Sequence, residues 1–463
     1  MTSQLVEIPL QKNLEMLMAL DNKTEVKEFL NDQNISDVAT LIYDNEALET
    51  EIISYLSIHR AASVFKILDG AEQKRIIKNL HPYKSAELLN ELPPDDRVDF
   101  FEELPTSTVR ELIKTLEPAE RKITLELLGY PENSVGRLMT PDYVYIYEYN
   151  TVQEALDTIR RWGSSSETID VLYVIDGRGE LIDDIRIRDF IIASPETKVS
   201  ELMDSRFISL KVEDDQEIAS DVFKMNNRVA LPVTDANNIL LGIVTIDDIL
   251  WVAQEEYTED IQKIGGTEAL DAPYLDIGIV KLIQKRAGWL VILFFSEMLT
   301  ATAMQFFQKE IEVATVLALF IPLIMSSGGN SGSQASTLII QAMALGEVKI
   351  TDWWRVMKRE LISGLALGII LGSIGFFRII VWQNLNIFDY GIYWKLVAAT
   401  IFFSLIGIVL WGSLMGSMLP LFLKKLKLDP AASSAPFVAT LVDVTGIVIY
   451  FSVAYFFLSG TLL

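Results

Sequence analysis

Cysteine is absent from this chain, and histidine occurs only twice, at His59 and His81. The absence of cysteine excludes disulfides, thiolate zinc sites and a cysteine nucleophile. With so few nitrogen ligands, a metal site must be built from oxygen atoms, which favours hard cations such as Mg2+, Ca2+ or Mn2+. A phosphate-loop lysine, a Ser-His-Asp set and a zinc motif are also missing, so the sequence does not indicate an enzyme.

Positive charge is scarce in the first part of the chain. Residues 1–280 hold 54 acidic and 26 basic residues, whereas residues 281–463 hold 9 and 13. A region with this excess of acidic residues attracts cations. It excludes nucleic acid as a partner, because nucleic-acid binding requires clusters of basic residues. The stretch Met1–Ile8 has no basic region followed by an apolar run. We therefore expect no signal peptide and a cytosolic N-terminal half.

Residues 1–130 are predicted to form an all-α cytosolic domain. Leucine-rich amphipathic segments are interrupted by proline at Pro82, Pro94, Pro105 and Pro118. Proline suits the first turn of a helix, so each one marks the start of a short helix. Repeated short helices indicate a small superhelical stack. The acids at the Pro94 helix start predict either capping or a metal site.

Residues 131–255 alternate between strand and helix patterns and contain an internal duplication. Val135–Met139 is echoed by Val199–Met203, and Ile187–Phe190 is echoed by Ile246–Ile249. The two copies, at about 131–196 and 197–255, resemble a tandem pair of α/β CBS domains.

The second copy carries the closer match to the CBS signature. Leu241–Asp248 fits the strand-to-helix pattern of that family, whereas the first copy has acids in Ile182–Ile185 where glycine is usual. The resemblance implies a regulatory module that often binds adenosine nucleotides, with ATP as a candidate ligand. Asp189 and Asp248 align with its ribose-binding position. A helix-capping role is an equal alternative, because aspartate is a common N-cap.

Residues 249–286 connect the acidic half to a hydrophobic half. Apolar residues recur at helical spacing through Ile264, with acids between them, and Gly265–Gly266 predicts the end of that helix. A second amphipathic segment is predicted from Leu275 to Arg286. A stiff acidic helix here would act either as a solvated surface or as a lever between the two halves.

The remaining residues, 287–463, are predicted to form a five-helix transmembrane domain. The predicted spans are roughly 287–308, 313–345, 361–383, 393–422 and 433–461. The second and fourth exceed the length of a straight span, which predicts tilt or interruption. Basic residues concentrate in the loops on one side. The positive-inside rule therefore places the N-terminus in the cytosol and the C-terminus outside the cytoplasmic membrane.

A small, polar stretch, Pro322–Ser336, lies inside the second span. Backbone amides cannot be solvated by lipid, so glycine-rich polar sequence at this depth is buried in protein or lines a wet cavity. Small residues also let helices approach closely. The stretch is thus either a packing seam or part of a substrate path. The residues of interest in it are Gly328, Gly329, Asn330, Gly332 and Gln334.

Two acids lie deep in predicted spans, Glu297 and Asp443, and such residues are functional candidates because burying charge in a membrane is costly. Ala439, Thr440 and Asp443 share a small, polar helix face that suits a pore. Mg2+ keeps several waters, so one carboxylate with backbone carbonyls and hydroxyls would hold it. The alternative for Asp443 is a bond to a neighbouring helix. Glu297 either faces the bundle, is protonated or lines the path.

The order of these parts resembles the MgtE family of magnesium channels over nearly the whole chain. The specific matches are Pro322–Gln334, Ala344–Glu347, Asp429–Pro430 and Ala439–Asp443. The resemblance implies a homodimer with the pore between protomers and Asp443 as its central Mg2+ ligand. It also implies that the connecting segment is a plug helix, which closes the pore when Mg2+ fills cytosolic sites.

The resemblance also implies which acids sense cytosolic Mg2+. The positions that fit are Asp95, Asp99, Asp215, Glu217, Asp248, Glu256, Glu259 and Asp260. Asn227 and Trp251 stand where some members have acids, and Ala435 stands where some have asparagine, so we expect fewer sensor sites here. Clustered carboxylates repel each other, and a divalent cation relieves that repulsion.

The sequence therefore predicts a homodimeric, Mg2+-selective channel of the cytoplasmic membrane that cytosolic Mg2+ closes. One alternative is a secondary transporter that couples the movement of divalent cations to H+ or Na+. The intramembrane acid Glu297 is the residue that favours this alternative. Another is a nucleotide sensor or enzyme anchored by the hydrophobic half. The predicted partners are the lipid bilayer, a second copy of the chain, and Mg2+ as both substrate and regulator.

Overall fold

In a computed structural model, residues 10–20, 22–272, 274–275 and 277–463 are described. The stretch Met1–Ile8, considered above for a signal peptide, lies outside them. The chain forms two compact units that divide between residues 254 and 255. The first contains the helical domain and the CBS-like pair, and the second contains the hydrophobic half.

Residues 10–20 and 22–127 form a stack of ten short helices, which confirms the predicted repetition of short helices. They are α1 (Leu10–Ala19), α2 (Lys23–Asp32), α3 (Ile35–Asp44), α4 (Glu49–Tyr55), α5 (Ile58–Phe65), α6 (Gly70–Asn79), α7 (Pro82–Glu91), α8 (Pro94–Glu102), α9 (Thr106–Leu112) and α10 (Pro118–Leu127). Three of them begin at a proline, and Pro105 directly precedes a fourth. Alternate helices pack together, such as α3 on α5 and α5 on α7. The core between them includes Phe65, Phe100 and Phe101.

Two three-stranded sheets of identical topology follow, which confirms the duplication. The strands are β1 (Tyr145–Tyr147), β2 (Val171–Ile175), β3 (Leu181–Arg186), β4 (Leu210–Lys211), β5 (Ala230–Thr234) and β6 (Leu240–Thr245). In each sheet the first strand pairs in parallel with the second, and the second pairs antiparallel with the third. Both middle strands are buried along their whole length, as their apolar sequences predict.

Six helices surround or leave these sheets. They are α11 (Val135–Leu138), α12 (Val152–Trp162), α13 (Ile187–Ile192), α14 (Val199–Leu202), α15 (Gln216–Asn226) and α16 (Ile246–Ile264). The last of them ends directly before Gly265, and Gly266 adopts a left-handed conformation with φ of 75°, as the glycine pair predicted. Short 3-10 turns occur at Glu46–Leu48, Ile113–Thr115, Gly163–Ser165, Ile350–Asp352 and Pro430–Ala432.

The second unit is a bundle of long apolar helices, with two short helices between the first and the second of them. They are α17 (Ile279–Phe306), α18 (Gln308–Val313), α19 (Thr315–Ala318), α20 (Ile321–Ala344), α21 (Trp353–Asn384), α22 (Trp394–Lys425) and α23 (Ala435–Leu458). Five segments of the described chain are long and apolar enough to cross a membrane: Ile279–Phe306, Thr315–Ala344, Ile350–Asn384, Trp394–Lys425 and Ala435–Leu458. The architecture of a helical domain, a CBS-like pair and five membrane helices is therefore confirmed.

The start of the first membrane helix differs from the sequence-based expectation, whereas the interruption expected of a long span is observed in the second. The helix predicted from Leu275 begins at Ile279 and runs unbroken into the first span. The second span is interrupted near Ala314 and Leu319, upstream of the glycine-rich stretch, which itself is continuous helix. The fourth span has no interruption and carries Pro420 within the helix.

Candidate cation sites

The glycines of Pro322–Ser336 form a packing seam at the centre of the bundle. A β-carbon at Gly332 would lie 2.9 Å from Val438 Cγ1 and 3.1 Å from the carbonyl oxygen of Gly412. A β-carbon at Gly328 would overlap Ile408 of α22 and would lie 2.9 Å from Val442 Cγ1 of α23. A β-carbon at Gly329 would lie 3.3 Å from the β-carbon of Ala439. Since all three glycines are buried, the packing interpretation holds for this side of α20.

Serines on α20 hold the same seam by hydrogen bonds. Ser331 Oγ lies 2.8 Å from Ser413 Oγ of α22. Ser333 Oγ donates to the carbonyl of Ala435 at 2.9 Å, and Ser336 Oγ donates to the carbonyl of Ser433 at the same distance. The last two bonds join α20 to the start of α23, so the glycine-rich stretch fixes the backbone that leads to Asp443.

The opposite side of α20 is polar and exposed. Asn330 and Gln334 both point away from the packed seam, and Asn330 Nδ2 contacts Ser326 Oγ at 3.4 Å. Amide side chains facing lipid are costly, so a membrane-spanning helix normally presents them to water or to another protein surface. The two interpretations of this stretch therefore belong to two faces of one helix: glycines pack, and amides face outward.

Asp443 lies in the middle of α23 and is partly exposed. Within the described chain its carboxylate accepts no hydrogen bond. The carboxylate of Glu297, on α17, is close enough to interact with it electrostatically. Helix α17 packs against α23, which brings the two intramembrane acids to one region of the bundle. The alternative of a hydrogen bond from Asp443 to a neighbouring helix is not observed among these residues.

The two residues predicted to accompany Asp443 are more enclosed. Thr440 is almost fully buried, and its hydroxyl donates to the carbonyl of Pro436 at 2.9 Å. Ala439 packs against Gly329. The threonine hydroxyl thus donates within its own helix, and its oxygen keeps a lone pair that is free to accept.

A second candidate site lies where α16 ends. Lys263 Nζ lies 2.7 Å from Asp429 Oδ2 and forms an ion pair with Glu259. Burial raises the pKa of Asp260 to about 6, with Asp429 adding to the shift and Lys263 opposing it. Glu256 also interacts with Asp260. Three predicted sensor acids therefore converge near one lysine and one loop aspartate of the same unit.

A third candidate site gathers acids from the helical domain and the CBS-like pair. We call it the interdomain acidic cluster, and its members are Asp95, Asp96, Glu167, Asp247 and Asp248, with Lys66 among them. Asp95 is 6% exposed, and its Oδ1 atom has no hydrogen-bond partner in the described structure. Helix α8 carries no side-chain cap, so capping does not account for its acids.

Burial and mutual repulsion perturb this cluster strongly. Burial, followed by the charge of Asp248, raises the pKa of Asp95 well above its ordinary value. Burial also raises the pKa of Asp248 to about 7, although a hydrogen bond from Thr245 opposes the shift. Burial lowers the pKa of Lys66, but the carboxylates of Asp96 and Glu167 more than offset this. A divalent cation would relieve the repulsion among these carboxylates.

The remaining predicted sensor residues lie on α8 and at the start of α15. Asp99 is exposed on α8, and Glu217 is exposed in the first turn of α15. Asp215 caps α15 by accepting from the backbone N–H of Glu217 at 2.9 Å. Across the residues described, no group of three or more histidine, aspartate or glutamate side chains has the geometry of a metal site. The acids are thus gathered but not arranged as a complete coordination shell.

The two aspartates predicted to contact a nucleotide ribose differ in their surroundings. Asp189, in the first turn of α13, is partly exposed and lies 3.6 Å from Arg188 Nε. Asp248 Oδ2 lies 2.7 Å from Thr245 Oγ1 and belongs to the interdomain acidic cluster. In the first copy, Asp183 stands where glycine is usual. Its carboxylate accepts from the backbone N–H groups of Asp204 and Ser205, which is a structural role.

Four of the residues that complete these sites were not singled out from the sequence: Lys66, Glu167, Lys263 and Asp247. Asp429 appeared only as part of a matching dipeptide. Asp247 is adjacent to a predicted residue, so it could have been proposed. Lys66 and Glu167 had no local signal, because each depends on contacts with residues far away in the sequence.

Comparison with known proteins is consistent with this arrangement. The matching family models are the divalent cation transporter MgtE over residues 321–453, the MgtE intracellular N domain over residues 33–133 and the CBS domain over residues 135–196 and 199–255. The magnesium transporter MgtE of Thermus thermophilus is 37% identical over 442 residues, which cover 89% of this chain and 95% of that protein. The magnesium transporter MgtE of Bacillus subtilis is 29% identical over 406 residues, 88% of each.

Solved structures resemble the first unit. The cytosolic domain of the Mg2+ channel MgtE in complex with ATP is 31% identical, covers 52% of this chain and 99% of that chain, and has a TM-score of 0.50. The soluble part of a magnesium transporter is 28% identical, covers 53% of this chain and 98% of that chain, and has a TM-score of 0.51.

Proposed function

Because this chain belongs to the MgtE family of divalent cation transporters, we propose that it is a Mg2+-selective channel that conducts Mg2+ passively across the cytoplasmic membrane. The observation that carries the proposal is Asp443, an intramembrane carboxylate without a hydrogen-bond donor among the residues described. An unpaired carboxylate at membrane depth is costly unless it serves a cation or a proton. Mg2+ flux through reconstituted Asp443→Asn protein tests this, and wild-type flux in that variant would refute it.

The active form is proposed to be a homodimer with the pore between protomers. Asn330 and Gln334 support this, because they lie exposed on a membrane-spanning helix and need a polar or protein environment. Helix α17 is exposed within the chain along almost its whole length, with only Thr300 buried, so it has a large surface for a second protomer. Chemical crosslinking in membranes tests the proposal, and exclusively monomeric protein would contradict it.

We assign four functional parts to the chain. Residues 1–130 and the CBS pair at 131–255 form the cytosolic sensor, 249–286 contain the plug helix, and 287–463 form the conducting domain. The N-terminus is placed in the cytosol and the C-terminus outside, because basic residues flank the spans on one side. Accessibility of single cysteines at the two termini, in a chain that otherwise lacks cysteine, checks this topology.

Closure of the channel is proposed to follow Mg2+ binding at the acidic cytosolic sites. The interdomain acidic cluster supports this role because its carboxylates are close together and partly desolvated, with one oxygen of Asp95 unpartnered. A cation that binds one arrangement of the domains better than another shifts the population toward it. Flux that is insensitive to Mg2+ on the cytosolic side would contradict this feedback.

A nucleotide is proposed to bind the CBS pair. A related cytosolic domain was solved with ATP, and Asp189 is partly exposed at the position expected to meet a ribose. Asp248 is less suited, because Thr245 and neighbouring acids already surround it. Equilibrium dialysis with ATP tests this assignment, with Asp189→Asn expected to weaken binding and unchanged binding arguing against it.

A second candidate function is secondary transport coupled to H+ or Na+. The interaction between Glu297 and Asp443 favours it, because two neighbouring intramembrane carboxylates can share a proton as well as attract a cation. The two functions predict different energetics. Mg2+ uptake into vesicles that follows an imposed proton or sodium gradient supports coupling, whereas uptake that follows only the Mg2+ gradient and the membrane potential supports the channel.

A further inference from the structure

Lys66 places a single ammonium group inside the interdomain acidic cluster. It follows the last residue of α5 in the helical domain. Its Nζ atom lies 3.2 Å from Asp96 Oδ2, 3.9 Å from Glu167 Oε1 and 3.8 Å from Asp247 Oδ2. Asp96 belongs to the helical domain, whereas the other two carboxylates belong to the CBS-like pair. One lysine therefore joins the two domains through acids of both.

The cluster is not neutralised by this lysine. The cluster holds five carboxylates and one ammonium, and that ammonium contacts only Asp96, Glu167 and Asp247. The side chain of Lys66 is 26% exposed, so it also reaches solvent. Asp95 Oδ1 remains buried without a hydrogen-bond donor in the described structure. A lysine is a point charge with three donors, whereas a hard divalent cation takes six or more oxygen ligands. The cluster thus retains acceptor capacity that suits a divalent cation rather than a second lysine.

We propose that Lys66 acts as a built-in counter-ion of the interdomain acidic cluster. When no divalent cation is bound, it holds the helical domain against the CBS pair, and it competes with Mg2+ for the same carboxylates. The ammonium and the cation cannot both sit among Asp96, Glu167 and Asp247 without strong repulsion. Mg2+ entry therefore requires Lys66 to swing toward solvent. This inference rests on the proposed feedback by cytosolic Mg2+ and identifies a residue that sets its threshold.

The competition has two effects of opposite sign. Removal of the ammonium leaves the acids unneutralised, so the two domains separate more readily without Mg2+. The same removal eliminates the competitor, so the domains dock at a lower Mg2+ concentration. A lysine that only contributed to packing would weaken docking at every Mg2+ concentration and raise the midpoint instead. Weaker docking without Mg2+ together with a lower Mg2+ midpoint therefore distinguishes a counter-ion role of Lys66 from a purely structural role.

The test is limited proteolysis of the full-length protein in detergent, from zero to millimolar Mg2+. Lys66→Met should be cleaved faster than wild type in EDTA, and its midpoint for protection should fall at least about fivefold, the lower end of typical coupling between sites. Lys66→Arg, which keeps the charge, should remain close to wild type. Lys74→Met is the matched control, because Lys74 pairs with Glu103 outside the cluster. Circular dichroism confirms that each variant is folded.

Each outcome decides the proposal. A Lys66→Met midpoint equal to that of Lys74→Met, or higher than wild type, overturns the role of Lys66 while leaving Mg2+ feedback intact. Protection of Lys66→Met by Mg2+ with no response in the wild type supports the competition but refutes feedback in the natural chain. No response in either protein overturns both proposals.

Discussion

Lys263, in the last turn of α16, donates a hydrogen bond to Asp429 Oδ2 at 2.7 Å, although the two residues are 166 positions apart in sequence. Asp429 precedes α23, the helix that carries Asp443. Lys263 also pairs with Glu259, and Asp260 interacts with both Asp429 and Lys263. The end of the proposed plug helix is therefore fixed by charge to the segment that leads into the proposed pore helix.

Substitution of Asp429 by asparagine should impair closure without abolishing conduction. The variant loses the ion pair with Lys263, so the end of α16 is held less firmly beside α23. Mg2+ flux at low cytosolic Mg2+ should match wild type, and flux at high cytosolic Mg2+ should stay several-fold above it. Asp352→Asn is a suitable control, because it removes the same charge from a surface pair with Arg355. Full closure of Asp429→Asn would show that this contact has no part in gating.

Stability of the chain should depend on pH through the interdomain acidic cluster. The native pKa of Asp248 is about 7, against 3.8 in an unfolded chain, so the native state binds the proton more tightly. Its contribution to stability is therefore greatest below about pH 4 and is lost as pH rises toward 7. The groups that face it include Asp247, Asp96 and Lys66.

Thermal unfolding of the full-length protein in EDTA should show this dependence. The melting temperature of Asp248→Asn should vary less with pH than that of wild type between about pH 4 and 7, since the amide does not titrate. Asp221→Asn, which changes an exposed acid on α15 outside the cluster, provides the comparison. Identical pH profiles for wild type and Asp248→Asn would contradict the assigned burial of this carboxylate.

Substitution of Gly416 by valine should destabilise the membrane bundle. A β-carbon at Gly416 would overlap the carbonyl oxygen of Gly332, so α20 and α22 would have to separate. Overpacking of this kind costs about 1–3 kcal/mol. A lower melting temperature in detergent is the expected result. Gly407→Ala should cost less, since the nearest atom to its β-carbon is Ile449 Cγ2 at 3.2 Å, and no backbone atom is in the way. Equal stability of both variants would argue against the seam.

Local sequence patterns predicted the elements of this fold well. Prolines marked the starts of α7, α8 and α10 because proline lacks the N–H that a helix interior needs. Apolar runs identified the buried strands β2 and β5. Hydropathy identified the five spans, because a membrane helix needs a long apolar segment. Each of these features depends on residues that are neighbours in sequence.

Features that depend on distant residues were predicted less completely. The sequence drew attention to Asp95 and Asp248, but Lys66 and Glu167 join them only through the folded chain. The glycine-rich stretch raised two interpretations that the sequence could not separate. The structure assigns its glycines to close packing and leaves Asn330 exposed on the other side, because one helix presents both faces.

The most direct test of the proposed function is passive Mg2+ flux into vesicles containing purified protein. Asp443→Asn keeps the shape of the side chain and removes only its charge, so it should abolish flux while the protein remains folded and inserted. Glu312→Gln is the matched control, because Glu312 accepts a hydrogen bond from Gln308 outside the long spans and should leave flux unchanged. Wild-type flux through Asp443→Asn would contradict the assignment of this carboxylate as the cation ligand of the pore.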